Sequence, residues 1–482
     1  MHNKKFKKIL SALTAASLLL ALASCAQTET ADTTSAEHTT AVEAEDIEIT
    51  DEITSTNDSE HAIEVSGETA EYSNIKVTKT GDSEEGDEAD FYGDNAAVFA
   101  TDGATLTLDN IVVDTDGLHA NAVFSYGEGT TVNISDSVIT TSGNCSGGLM
   151  TTGGGTMNAT NLNIHTTGNS SAAIRSDRGG GTVTVTGGTY TTDGKGSPVI
   201  YSTADITVSD ALLTSTSSQG VVVEGKNSVT LNNVTMVADN NSKNSDKSEW
   251  YQAVMIYQSM SGDASVGTAE FTMNGGSLTN ANGDVFFVNN TVATITLDNV
   301  EIVNQDEDGV FLRAAAAGWG SEGSNGGKVN LYLNSQTLEG DIIVDSVSAL
   351  NMYLASGTTY TGAVNSDNSD GAEIYVEIGS GSKWVLTGDS YITSLTCDAD
   401  GIDLNGHNLY INGVLYEAGT SSEGTAIEMA TSSSSGSHSA PDGMPGEPPS
   451  DGDGSGSDRP ERPEGDPPSG ERPEGDPPAR PE

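Results

Sequence analysis

From residue 105 to residue 354 the chain alternates Thr or another polar residue with an apolar one, in short runs broken by Gly, Asn, Asp or Ser. Period-two alternation belongs to strands with one buried face, and the turn residues at each break keep every strand short. The runs also recur. Thr105-Leu106-Thr107-Leu108-Asp109-Asn110 returns as Thr131-Val132-Asn133-Ile134-Ser135-Asp136, as Thr182-Val183-Thr184-Val185-Thr186-Gly187 and as Thr294-Ile295-Thr296-Leu297-Asp298-Asn299. Equivalent apolar residues fall at Leu106, Val132, Met157, Val183, Ile206, Val229, Phe271, Ile295, Val329 and Met352, in steps of 23 to 26 residues broken by two of 42 and 34. Each unit holds three alternating runs separated by turns. A repeat of this length with three strands predicts an all-β fold, a right-handed parallel β-helix of about 12 coils, each strand pairing with its equivalent one coil on.

Stacking the units in register separates architecture from variation. The pair after the first strand, as in Asp109-Asn110, Asn232-Asn233 and Asp298-Asn299, has the chemistry of a tight turn with positive φ. Its oxygens, with the acidic segment 84–90, would also suit Ca²⁺, the one cofactor left open. The third strands align Ser125, Thr151, Arg175, Tyr201, Glu224, Tyr257, Val288 and Arg313 in one column. Unpaired Arg and Glu cannot be buried, so this column is expected to face outward, with Phe124, Met150, Ile174, Ile200, Val223, Ile256, Phe287 and Leu312 inward. Val123, Leu149, Ala173, Val199, Val222, Met255, Phe286 and Phe311 would then make an outward apolar stripe, covered by the chain's own spacer or tail or else a contact surface.

The oversized steps come from loops at 239–249, 259–268 and 314–327, the last two leaving the same corner. Long loops on a rigid solenoid are where function sits. The candidate ligand-binding set is therefore Arg175, Tyr201, Glu224, Tyr257 and Arg313 on the strand face, with Trp250 and Trp319 in the loops. Aromatic faces stack on sugar rings while Arg and Glu bond hydroxyls, so a linear glycan could lie along the helix.

The ends differ from the middle. Lys4, Lys5, Lys7 and Lys8 precede an apolar stretch at 9–23, the pattern of a secretory signal, which closes on Leu22-Ala23-Ser24-Cys25. The expected layout is a signal at 1–24, an acidic Ser/Thr-rich spacer at 25–61, the β-helix with its C-terminal cap at 62–430, and a disordered Pro/Gly/Asp/Glu-rich tail at 431–482, where Glu-Arg-Pro-Glu-Gly-Asp-Pro-Pro occurs twice. A formal charge of −51 argues against nucleic acid and anionic lipid headgroups as partners. Cys145 and Cys397 lie too many coils apart to pair, so both are expected as free thiols. There is no His pair at metal-ligand spacing and no phosphate loop.

The coils resemble the pectate-lyase-like superfamily of parallel β-helices. The ending at Cys25 resembles a bacterial lipobox, and the whole layout is similar to Gram-positive cell-surface lipoproteins that bind polysaccharides. The resemblance implies lipidation of Cys25, an extracytoplasmic location at the cell membrane and exposed at the cell surface, a monomer, and a plant, cell-wall or host-surface glycan as partner. Lyases of this superfamily use calcium-holding acids and a basic residue, for which Arg175, Asp177 and Arg178 are the similar cluster. Galacturonase-type members carry Gly-His-Gly, where this chain has Gly406-His407-Asn408 in the expected cap. Binding is thus the first expectation; a lyase or hydrolase of acidic glycans, and an adhesin or structural surface protein, are the alternatives.

Overall fold

The computed structural model describes residues 41–247, 249–259 and 261–429 of the 482. Over them the chain winds as a parallel β-helix whose three long sheets are all parallel. The first sheet has 13 strands from Thr69–Ser73 onward, the second 10 from Asp51–Ser55, and the third 11 from Ile63–Ser66. Alternation sets the first-sheet register as expected, from Leu106 through Val132, Met157, Val183, Ile206, Val229 and Phe271 to Ile295. There it shifts. Ile295 pairs with Leu331, which precedes Met352, while Val329 pairs with Ala293. The strand Lys328–Asn334 carries inward apolar residues at three alternate positions, so a slip of two keeps the same face and leaves no mark in the sequence pattern.

The polar pairs close turns. Asn110, Asp136, Asn161, Asp210, Asn233 and Asn299 all take φ between 46° and 56°, the left-handed region Asn and Asp tolerate best among residues with a side chain. Their side chains also join coil to coil, as in Asn161 Nδ2 to Asp136 Oδ1 at 2.6 Å and Asn233 Nδ2 to Asp210 Oδ1 at 2.7 Å.

The corner between the second and third sheets is more tightly specified. Gly81, Gly117, Gly143, Gly168 and Gly194 stack there so closely that a Cβ on any of the last four would overlap the carbonyl oxygen of the glycine one coil back. Three residues after each of the last three stands a serine. Ser146, Ser171 and Ser197 donate to the carbonyls of Gly117, Gly143 and Gly168 at 2.7, 3.1 and 2.8 Å, and accept from the backbone N–H of Ala120, Ser146 and Ser171 at 2.9 Å. This Gly-x-x-Ser ladder satisfies buried backbone groups at a bend where strand pairing is interrupted.

Every long insertion flanks the third sheet. The acidic segment 84–90 runs into a short helix, Asp87–Tyr92, which enters at the same corner as loop 239–249. Loops 259–268 and 314–327 leave from the opposite edge. Within the region expected as spacer, Asp51–Ser55 pairs with Ile75–Lys79, and Ile47 packs on Val112 and Val138 of the second sheet together with Val42 and Ile49. The isoleucines scattered among its acids supply the apolar contact that composition alone conceals. Beyond the cap strands Leu409–Ile411 and Val414–Leu415, which pair antiparallel, Ser422 bridges Cys397 and Ile427 exchanges backbone hydrogen bonds with the Asn351 side chain on the first sheet. Cys145 and Cys397 are free. Cys25, the 1–24 signal and the 431–482 tail lie outside the described residues.

Candidate functional site

Strand register corrects the third-strand column. Residues paired along the ladder are Phe124, Met150, Arg175, Tyr201, Val222, Met255, Phe287 and Arg313. A one-residue slip exchanges the faces of a strand. Ser125, Thr151 and Val288 are therefore buried rather than outward, and Val123, Leu149, Ala173, Val199, Phe286 and Phe311 belong to the main core instead of a surface stripe. Phe124, Met150 and Phe287, expected inside, lie outside it in two separate apolar clusters. Glu224 and Tyr257 keep the outward face because they stand two residues beyond Val222 and Met255. The slip arises because third strands are buried on both faces, as Gln252–Tyr257 is throughout, so alternation does not reveal which side is which.

The insertions supply the outer cover. Val222, Met255 and Phe287 cluster with Tyr201, Tyr257, Trp250 and Trp319. Trp250 lies 5.5 Å from the Phe287 ring, and Trp319 meets Tyr257 edge-on at 5.1 Å. Residues 41–49 and 422–427 run on the second and first sheets.

Between the insertions two clefts of about 290 and 280 Å³ share Gly196, Pro198, Tyr201, Asn244 and Tyr257, and so form one groove. Its halves differ. One is walled by Trp250, Tyr251 and Trp319 with Gln219, Asn240 and the lysines Lys243 and Lys247, and among the described residues no carboxylate lines it. The other holds Arg175, Asp177, Asp87, Asp263 and Phe91. In a chain with 70 acidic and 19 basic residues, two lysines in an acid-free cleft mark that half as neutral to cationic.

Arg175 is the centre of the charged half. Its guanidinium reaches Asp177 at 2.8 Å and Asp90, from the short helix, at 3.1 Å. One cation thus faces two carboxylates. Burial is the largest single influence on the Asp90 carboxyl and raises it, but Arg175, His119 and Asn121 together outweigh it and the net shift is downward. At Asp177 burial prevails over Arg175 and pushes the carboxyl up to about 6. Burial opposes the charge on Arg175, yet the two carboxylates hold its pKa above the ordinary value, so the guanidinium keeps its protons and orients or pairs with an anion. Tyr201 donates to Glu224 and lies 3.3 Å from the Tyr257 hydroxyl. Burial foremost, with Glu224 nearby, raises both tyrosines, which stay neutral hydroxyls.

Of the residues singled out in the sequence, Arg175, Tyr201, Tyr257, Trp250, Trp319 and Asp177 line the groove. Glu224 is buried behind the tyrosines, accepting also from the Ser259 N–H at 3.3 Å, and positions them. Arg313 braces the aromatic wall: it binds Asp284 at 2.6 and 3.1 Å and lies 4.5 Å from the Trp250 ring centre. Arg178 ties the helix to a loop, through Asp263 at 2.8 Å and the Phe91 ring at 3.9 Å. Sequence reasoning missed Lys243, Lys247, Asn240 and Asn244, although two lysines in one Asn/Ser-rich insertion of so acidic a chain were a usable signal. It placed Asp90 only within the acidic segment 84–90, as oxygens for calcium, and not as a buried partner of Arg175. In comparisons with known proteins, no family model, no curated protein and no solved structure matches the chain.

Proposed function

We propose that the protein binds a polysaccharide along the groove over its third sheet and is held at the outer face of a bacterial cell membrane by a lipid on Cys25. The observation that carries the binding reading is the continuity of the two clefts through Tyr201 and Tyr257, which gives an elongated groove with aromatic rings at one end and charge at the other. Partly buried Trp and Tyr present flat apolar faces for sugar rings, and Asn, Gln and Lys side chains meet hydroxyls. The lipid anchor rests on the resemblance of 22–25 to a lipobox, and the likeness to pectate-lyase-like surface lipoproteins supports both parts.

Glycan-array screening followed by calorimetry on the selected polysaccharide tests this reading. Tyr201→Ala and Tyr257→Ala should each weaken binding about tenfold, since losing a stacked ring removes roughly 1 kcal/mol or more. Unchanged affinity in both variants refutes the groove as the site. The Asp177 carboxyl, raised to about 6, favours a second reading as a lyase or hydrolase of acidic glycans. Release of reducing ends or unsaturated uronides, abolished by Asp177→Asn, would establish it.

A further inference from the structure

We propose that Asp90, His119 and Cys145 bind a divalent transition metal ion of the zinc class beside the charged half of the groove. His119 and Cys145 occupy one corner in successive coils: the His119 N–H donates to Asn144 O at 3.0 Å and the Cys145 N–H to Asn169 O at 2.8 Å. Both take left-handed backbone, φ 57° and 55°, so their side chains project side by side. The helix Asp87–Tyr92 lays Asp90 over them, and one donor atom from each residue lies within 4.8 Å of the other two. Among the described residues this is the group of Asp, Glu, His and Cys side chains so gathered.

A second observation points to a ligand. The His119 side chain is 8% exposed and its Nδ1 stands 3.2 Å from Asp90 Oδ1, yet this buried nitrogen has no partner in hydrogen-bond geometry. Off hydrogen-bond geometry, that nitrogen gains little from the carboxylate beside it, a deficit that coordination would remove. One oxygen, one imidazole nitrogen and one sulfur select a borderline metal such as Zn²⁺ or Co²⁺ over Ca²⁺ or Mg²⁺.

Size and charge agree. At bond lengths of about 2.0–2.3 Å tetrahedral donors stand roughly 3.3–3.7 Å apart, so Asp90 and His119 need little movement and Cys145 draws in by about 1 Å at most. Asn121 Nδ2 on Asp90 Oδ1 at 3.0 Å and Arg175 on Oδ2 already orient the carboxylate, as outer partners of metal ligands do. With Asp90 and Asp177 ionised, Arg175 leaves the cluster one negative charge in excess. Binding M²⁺ with loss of the Cys145 proton to solvent brings the sum to zero: two positive from the metal and one from Arg175, against Asp90, Asp177 and the thiolate. Three protein donors leave a fourth position for water or a ligand group.

Titration of the full chain carrying Cys25→Ser with Co²⁺, then competition with Zn²⁺, tests the site. The expected result is one equivalent bound, with a thiolate-to-cobalt charge-transfer band in the near ultraviolet. Cys145→Ser should abolish the band and weaken Zn²⁺ binding at least tenfold, as should His119→Ser, whereas Cys397→Ser leaves both intact. Serine is tolerated at this corner, because Ser170 holds the same place one coil on with φ 55°, and circular dichroism checks the fold. Absence of the band in the parent chain, or its survival in folded Cys145→Ser, overturns the proposal.

Discussion

Replacing Asp177 by asparagine should change the pH dependence of stability in a calculable way. Its carboxyl is raised from 3.8 to about 6, with burial the chief cause and Arg175 opposing. Between those two values the folded chain holds a proton that the unfolded chain has released, so stability falls as pH rises through this window and the full penalty stands above about 6. A shift of about 2 units corresponds to roughly 3 kcal/mol. Asparagine carries no such penalty. Like the protonated carboxyl present below about pH 6, it offers one acceptor oxygen, for Arg175 Nη2 or for the Arg178 N–H at 3.1 Å, so the two side chains are nearly equivalent where Asp177 is protonated. The variant should therefore match the parent within about 1 kcal/mol near pH 4 and be roughly 3 kcal/mol more stable near pH 7.5. Urea unfolding at fixed ionic strength, followed by circular dichroism at half-unit pH steps, measures the difference, and subtraction cancels the titration of the chain's other acids. A pH-independent difference, or a variant that becomes relatively weaker as pH rises, refutes the description of Arg175 as one cation shared by two carboxylates.

Three other outcomes follow from the same geometry. Arg313→Met strands the buried Asp284 carboxylate and should lower stability by about 3–5 kcal/mol in urea unfolding, while adding Asp284→Asn recovers most of the loss. Gly168→Ala places a methyl group against the Gly143 carbonyl, where only backbone movement can relieve the clash, and should lower stability by about 2–3 kcal/mol or more in the same assay. Trp250 and Trp319 line the groove while Trp384 is fully buried, so bound polysaccharide should change the tryptophan emission, and Trp319→Phe with Trp250→Phe should remove that change.

The solenoid is legible because Leu106 and its equivalents alternate with solvated Thr on a sheet with one wet face, a pattern that survives every coil. Through its middle coils the third sheet is largely covered on both faces. Phe124 and Phe287 are as apolar as Val123 and Phe286, and only the unseen partners on the outside, the helix at Asp87–Tyr92 and the loops bearing Trp250 and Trp319, separate them. The tyrosines, tryptophans and Arg175 were recoverable because polar and aromatic residues break an otherwise aliphatic column. Asp90, His119 and Cys145 were not, being brought together by coil stacking and a folded insertion rather than by spacing. The Gly-x-x-Ser recurrence at 143, 168 and 194 was visible in the letters, but a carbonyl's close approach, not side-chain periodicity, gives it meaning.

That corner ladder makes groove length a countable quantity. The Gly-x-x-Ser joint recurs at Ser146, Ser171 and Ser197 and links the coil bearing Arg175 to the one bearing Tyr201, so a further copy could be inserted there with the same joint. One added unit would part the charged end from the aromatic end by about 4.8 Å, one strand spacing. The ladder then acts as a ruler with a fixed graduation: under the proposed reading, a chain lengthened by one coil at this point would take a longer ligand of the same chemistry.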